Sequence, residues 1–228
     1  MQSPVTRRRA IRVAAFGAGL VFLLVVGPVV FFHLVEGSAP PKFSLPSPSA
    51  TVLPGPVSGT WKVGPGSLAG YRVQEILFGQ SHTAVGRTAQ VTGTIRISGN
   101  QVTDAGFTVD LATVTSEQRS RDVQFNGYIM ETYRYRYATF RLTRPIGLPD
   151  VAPDGRTVTV AATGELTLRG VTREVTFPLN AERMGEGIDV EAEIPVTFSR
   201  WGIPNPSFVV AKVGSGGTVE VQLRLIRA

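Results

Sequence analysis

Along most of the chain apolar and polar residues alternate one for one. Val91, Gly93, Ile95 and Ile97 interleave with Thr92, Thr94, Arg96 and Ser98, and Phe107, Val109 and Leu111 interleave with Thr108 and Asp110. The same rhythm runs through 158–168, 175–179, 188–198 and 219–225. A period of two sends successive side chains to opposite faces, so each stretch predicts a β-strand with one buried and one solvated face. Ser98-Gly99-Asn100, Arg169-Gly170 and Gly185-Glu186-Gly187 separate them. Gly and Asn tolerate positive φ, which predicts tight antiparallel hairpins. About eight or nine strands are expected after Thr60, with one short helix at 116–125, where SEQRSRDVQF lacks the alternation.

Strands of about eleven residues are near 35 Å long, more than a compact sandwich requires. A closed barrel of about eight strands is therefore expected, its interior either filled by side chains or wide enough for one slender ligand. Gly93, Ala162, Gly164, Ala181 and Ala192 fall at inward positions and would leave room, unless neighbouring aromatics fill it. The outward face carries Arg96, Asp110, Glu165, Arg173, Asp189, Glu191 and Glu193, a mixture of signs suited to water rather than lipid.

The rhythm breaks at 119–142, RSRDVQFNGYIMETYRYRYATFRL, which holds four of the five tyrosines. A barrel with an apolar lumen needs a mouth and a segment to cover it. Arg121, Asp122, Phe125, Tyr128, Tyr133, Tyr135 and Tyr137 are the candidates for that cover. Tyrosine suits the boundary because its ring is apolar and its tip polar. Arg121 and Asp122 are read as pinning the helix to the barrel rim. Arg134 and Arg136 are read as solvated loop charges, with attraction of an anionic head group or lipid surface as the sharper reading.

The N-terminus adds a second element. Residues 13–32, VAAFGAGLVFLLVVGPVVFF, carry no charge over a length that matches a hydrocarbon core of roughly 30 Å. A transmembrane helix is expected over 13–35. The run is longer than the apolar part of a cleaved signal peptide, which favours an uncleaved anchor. Arg7, Arg8, Arg9 and Arg12 precede it, which puts residues 1–12 in the cytoplasm and the rest outside, on the positive-inside rule. Residues 36–59 contain six prolines and almost no charge, the composition of an extended stalk. The folded domain is expected over 60–228.

Charge and chemistry narrow the function. The formal charge is +6, yet from Thr60 onward 18 basic and 16 acidic residues nearly balance, so no nucleic-acid partner is expected. The chain has no cysteine, which excludes disulfides and thiolate chemistry. His33 ends the expected span, and His82 is read as an exposed loop residue without partners for a metal site. Asp189, Glu191 and Glu193 share the outward face and are read as solvated. No phosphate loop or nucleophile elbow is present, so no enzyme is expected.

Trp61, RSRDVQF at 119–125, ATF at 138–140, GELTLRGVTREV at 164–175 and the closing TVEVQLRLI together resemble the YceI-like polyisoprenoid-binding proteins, in particular their membrane-anchored members. Two departures stand out: Gln124, where the family often has histidine, and Tyr135-Arg136, where it often has Tyr-Pro. The resemblance implies an all-β, extended, lipocalin-like antiparallel barrel, here preceded by one transmembrane helix. It implies an isoprenoid or similar lipid as partner, with no cofactor beyond that bound lipid. Lumen contacts are expected from Phe107, Val109, Leu111, Phe140, Leu142, Val160, Leu166, Val175, Phe177, Val196, Phe198, Val221 and Leu223. The competing expectation is a ligand-free adhesion or scaffold module of the cell envelope, with a filled barrel.

Overall fold

The computed structural model describes residues 39–45, 56–77, 79–149, 157–207 and 211–228. The expected span at 13–35 lies outside the described residues, and among these no helix is long and apolar enough to cross a membrane. Pro40–Ala228 forms one compact unit.

The unit is all-β with one short α-helix. Its strands are β1 (Gly59–Val63), β2 (Leu68–Leu77), β3 (Gln80–Thr88), β4 (Val91–Ser98), β5 (Gln101–Asp110), β6 (Thr115–Ser116), β7 (Tyr137–Leu142), β8 (Ile146–Gly147), β9 (Val158–Leu168), β10 (Val171–Met184), β11 (Gly187–Thr197), β12 (Ala211–Val213) and β13 (Gly216–Arg227). Helix α1 (Arg119–Gln124) lies between β6 and β7 and runs into a wide turn, Phe125–Ile129. Every pairing is antiparallel, and β1-β4-β5-β7-β9-β10-β11-β13 closes on itself through β1 and β13 as an eight-stranded barrel.

The closing strand forks. Leu225 to Arg227 pair with β1, while Thr218 to Gln222 pair with β2. The β2–β3 hairpin therefore hangs on one half of β13 and continues the wall to β6, where Gly86 and Arg87 pair with Ser116 and Thr115. Registers sort the connections to two ends. The β4–β5 and β10–β11 turns and β8 lie at one, here the far end. The β9–β10 turn, α1 and the 198–201 turn lie at the other, the helix end. Arg169 and Gly170 form the β9–β10 turn with φ of 48° and 72°, the pair of positive values that a two-residue hairpin of matching twist demands.

Two parts depart from expectation. His82 lies in β3, half-buried, with Nδ1 3.0 Å from Glu75 Oε1, rather than in an exposed loop. Residues 40–44, which composition placed in a free stalk, lie against the outer wall. Arg72 donates to the Pro40 carbonyl at 2.9 Å, Gln222 to the Ser44 carbonyl at 2.7 Å, and Lys42 pairs with Glu193 at 2.8 Å.

Candidate functional site

The barrel is hollow along part of its axis. Inward positions of β4, β5, β7, β9, β10, β11 and β13 line a cavity of ≈170 Å³, counted as space open to the centre of a water molecule. At 10–15 Å³ per occupant on that measure, this holds roughly a dozen water-sized groups. The wall is apolar apart from Thr139, Glu182 and Arg183, which leaves water few partners. The small residues divide into two kinds. A Cβ on Gly93 would stand 2.5 Å from the Phe107 ring, and one on Gly164 would stand 2.5 Å from the Phe140 ring, so aromatics already occupy both gaps. Ala162, Ala181 and Ala192 line the cavity and leave theirs open. Phe140 meets Phe177 edge-on at 5.4 Å, which stiffens one wall.

The helix end is solid. Leu111, Val114, Phe125, Met130, Val196, Phe198 and Trp201 are buried there and none lines the cavity. Trp201 is fully buried, with its indole N–H donating to the Leu166 carbonyl at 3.1 Å. Phe125 stacks on Tyr71 of β2, centroids 5.1 Å apart. Burial pushes the Tyr71 hydroxyl well above its ordinary pKa, against the opposing pull of Arg121. The cavity instead reaches the far end, where Ile97, Val102, Ile146, Val158, Ile188 and Leu225 ring it.

Of the thirteen expected lumen residues, Phe107, Val109, Phe140, Leu142, Val160, Leu166, Phe177, Val221 and Leu223 line the cavity. Val175, Leu111, Val196 and Phe198 are buried in the packed core outside it. Sequence reading passed over Ile97, Val102, Ile146, Val190, Ala192 and Leu225 as contacts, although alternation had marked most of them as inward. The segment at 119–137 does not border the cavity: none of Arg121, Asp122, Phe125, Tyr128, Tyr133, Tyr135 and Tyr137 lines it. It caps the solid end. Arg121 donates to Glu75 at 3.0 Å and to Glu117 at 2.6 Å, while Asp122 accepts from the backbone N–H and hydroxyl of Ser116 at 2.8 and 2.7 Å. These bonds hold α1 to β2 and β6. Tyr135 covers Gly170, where a Cβ would stand 2.6 Å from the ring, and Tyr128, Tyr133 and Tyr137 face solvent.

Charges outside the lumen are mostly matched. Arg136 grips Asp110 through Nε and Nη2, the latter at 2.8 Å, and this bond holds the Asp110 carboxyl below the ordinary range. Arg136 is therefore not a free loop charge. Arg134 lies over the Tyr135 ring at 5.0 Å. Asp189 is not solvated: it is 5 % exposed, faces Glu182 across the β10–β11 ladder, and has Oδ2 without a hydrogen-bond partner. Burial raises its pKa despite Arg224. Among the described residues no cluster of His, Asp and Glu could hold a metal ion.

Comparison with known proteins places this architecture. No curated protein sequence is significantly similar to the chain. A polyisoprenoid-binding domain from Saccharophagus degradans, implicated in plant cell wall breakdown, superposes with a TM-score of 0.59 at 17% identity, over 74% of this chain and 98% of that one. Burkholderia cenocepacia BcnA superposes with a TM-score of 0.57 at 16% identity, over 71% of this chain and 98% of its own. Likeness at that identity establishes the fold alone. The YceI-like domain family matches residues 61–225, the span from the buried Trp61 to Leu225, where β13 begins to pair with β1 and close the barrel, and the chain belongs to that family.

Proposed function

We propose that this protein is an extracytoplasmic binding protein, held to the cytoplasmic membrane by its N-terminal span, that sequesters a long-chain isoprenoid in the barrel lumen. The observation that carries the reading is the apolar cavity that runs along the lumen from Leu168 to the far end, walled by Phe107, Phe140, Phe177 and Val221, with Ala162 and Ala192 in its lining. Binding is burial without chemistry. Each methylene removed from water contributes about 0.8 kcal/mol, so a dozen supply about 10 kcal/mol gross; ordering costs of at least about 4 kcal/mol leave no more than about 6, a dissociation constant of the order of tens of micromolar. A longer chain leaves its remainder outside the cavity. Family membership and the description of the Saccharophagus degradans domain favour an isoprenoid over a straight-chain lipid. The charge-free run at 13–32 behind four arginines supports the anchor and its orientation.

Full-length protein purified from membranes and submitted to lipid extraction and mass spectrometry tests this. An isoprenoid quinone or polyprenol near one per chain is expected. Lipid-free protein that also takes up no added polyprenol would favour the scaffold reading.

A further inference from the structure

The outer wall at β13, β2 and β3 carries a charged groove with its occupant in place. Glu220 of β13 is 1 % exposed and accepts from Arg72 of β2 through Nε and, at 3.4 Å, Nη2. Arg87 of β3 reaches the same carboxylate at 3.5 Å. Both guanidiniums then spend remaining donors on residues 40–44, Arg72 on the Pro40 carbonyl and Arg87 on that of Pro41. The Arg87 guanidinium also lies over the Phe43 ring, 4.0 Å from its centroid. Prolines suit this role because their carbonyls have no competing turn or ladder to join. The strap thus bridges four neighbouring strands, with Lys42 on Glu193 of β11 and Ser44 on Gln222 of β13.

The same two rungs of the β2–β3 hairpin face the plug on their inner side. Gly70 pairs with Arg87 and Tyr71 with Gly86. A Cβ on Gly70 would stand 3.0 Å from Arg87 Cγ and only 2.1 Å from the Gly86 carbonyl oxygen, so glycine lets Arg87 cross β2 toward Glu220 and the strap. A Cβ on Gly86 would stand 2.4 Å from the Tyr71 ring, so glycine on that rung lets Tyr71 lie against the sheet and stack on Phe125. Strap and plug are separated by one sheet thickness.

We propose that residues 40–44 are a latch: docked in the Arg72–Glu220–Arg87 groove, they hold the β2–β3 hairpin against β13 and, through Tyr71 and Glu75, hold the α1 plug in the helix end. Release of the strap loosens hairpin and plug together. Apart from the strap, the hairpin is bound by half of β13 and by two short strands, β12 on β2 and β6 on β3, which makes it the part whose local opening the strap can govern. Since residues 40–44 follow the expected anchor in sequence, displacement of the tether becomes a signal to the barrel. The role of that opening in lipid exchange rests on the isoprenoid reading; the mechanical coupling does not.

Hydrogen–deuterium exchange on the full-length chain tests the latch, with Phe43→Ala and Lys42→Glu compared to wild type. Both substitutions lie outside the barrel, so the fold is retained, and unchanged exchange across 158–168 and 171–184, strands the strap does not touch, verifies it. At least fivefold faster exchange at 68–88 and at 119–129 is expected in the double variant. Acceleration confined to residues 40–44, with the plug as protected as in wild type, would overturn the proposal. Stopped-flow uptake of a fluorescent polyprenol separates the two readings. Faster uptake and release with unchanged affinity is expected, and failure of wild type to bind any polyprenol defeats the isoprenoid reading while the exchange result still decides the latch.

Discussion

At the helix end of the barrel, Trp201, Phe198, Phe125 and Met130 meet in a core without gaps, and α1 is bonded across it. At the far end the same wall strands enclose empty apolar space, because Ala162, Ala181 and Ala192 stand where bulkier residues would have met. Alternating strands build both ends, and the difference is what lies between the walls. One end has segments of its own, 111–136 and the 198–201 turn, that supply buried side chains. The other has wall residues alone, and wall residues with small side chains do not reach each other. A barrel of this circumference is solid only where something is inserted, so its hollow half reads as a binding site and its solid half as the foundation that keeps the hollow half open.

The contrast can be attacked by substitution. Trp201→Ala removes a fully buried ring from the solid end together with its hydrogen bond to the Leu166 carbonyl; a loss of about 3–5 kcal/mol is expected by denaturant titration. A loss below about 1 kcal/mol would mean that the plug is not packed as described. Gly86→Ala forces a methyl into the Tyr71 ring and so lifts β2 from the plug, at an expected cost of about 1–3 kcal/mol.

Asp189→Asn has the opposite sign. Burial raises the Asp189 pKa in the folded state, so the folded protein holds this proton more tightly than the unfolded chain does. The charged form therefore destabilises above the raised folded pKa, and that penalty fades as pH falls through it toward the unfolded value. The variant should be about 1 kcal/mol more stable at neutral pH, with the advantage vanishing in acid. An advantage that grew on acidification would contradict the assignment. Asp110→Asn should show the smallest effect and the reverse trend. Its pKa is depressed by Arg136, so its contribution is present above the unfolded pKa and is lost as pH falls through the depressed one. Thermal melts at several pH values distinguish the two carboxylates.

What the sequence made legible follows from the same contrast. β4, β9, β11 and β13 each have one face on the lumen and one in water, so alternation exposed them. β2 and β3 have both faces covered, with the strap outside and the plug inside, and LAGYRVQEIL and QSHTAVGRT accordingly show no period of two. His82 was misplaced for that reason. The pinning role of Arg121 and Asp122 was readable because a charged pair in an amphipathic turn needs partners nearby. The location of the cavity was not, since it depends on which glycines are covered from a neighbouring strand. Gly164 is filled by Phe140, two strands away in sequence order, whereas Ala162 on the same strand is left open.

The central claim is that the lumen, from Leu168 to the far end, holds an oily chain in space the protein does not fill. Equilibrium binding of a fluorescent polyprenol to the full-length chain and to an Ala162→Phe, Ala192→Phe double variant tests it most directly. Both substitutions direct rings into the cavity, at an expected stability cost of about 1–3 kcal/mol, and binding is measured where both proteins are fully folded. Binding to wild type at tens of micromolar or tighter and at least a tenfold loss in the variant are predicted, whereas equal binding to the two would place the ligand elsewhere and contradict the account.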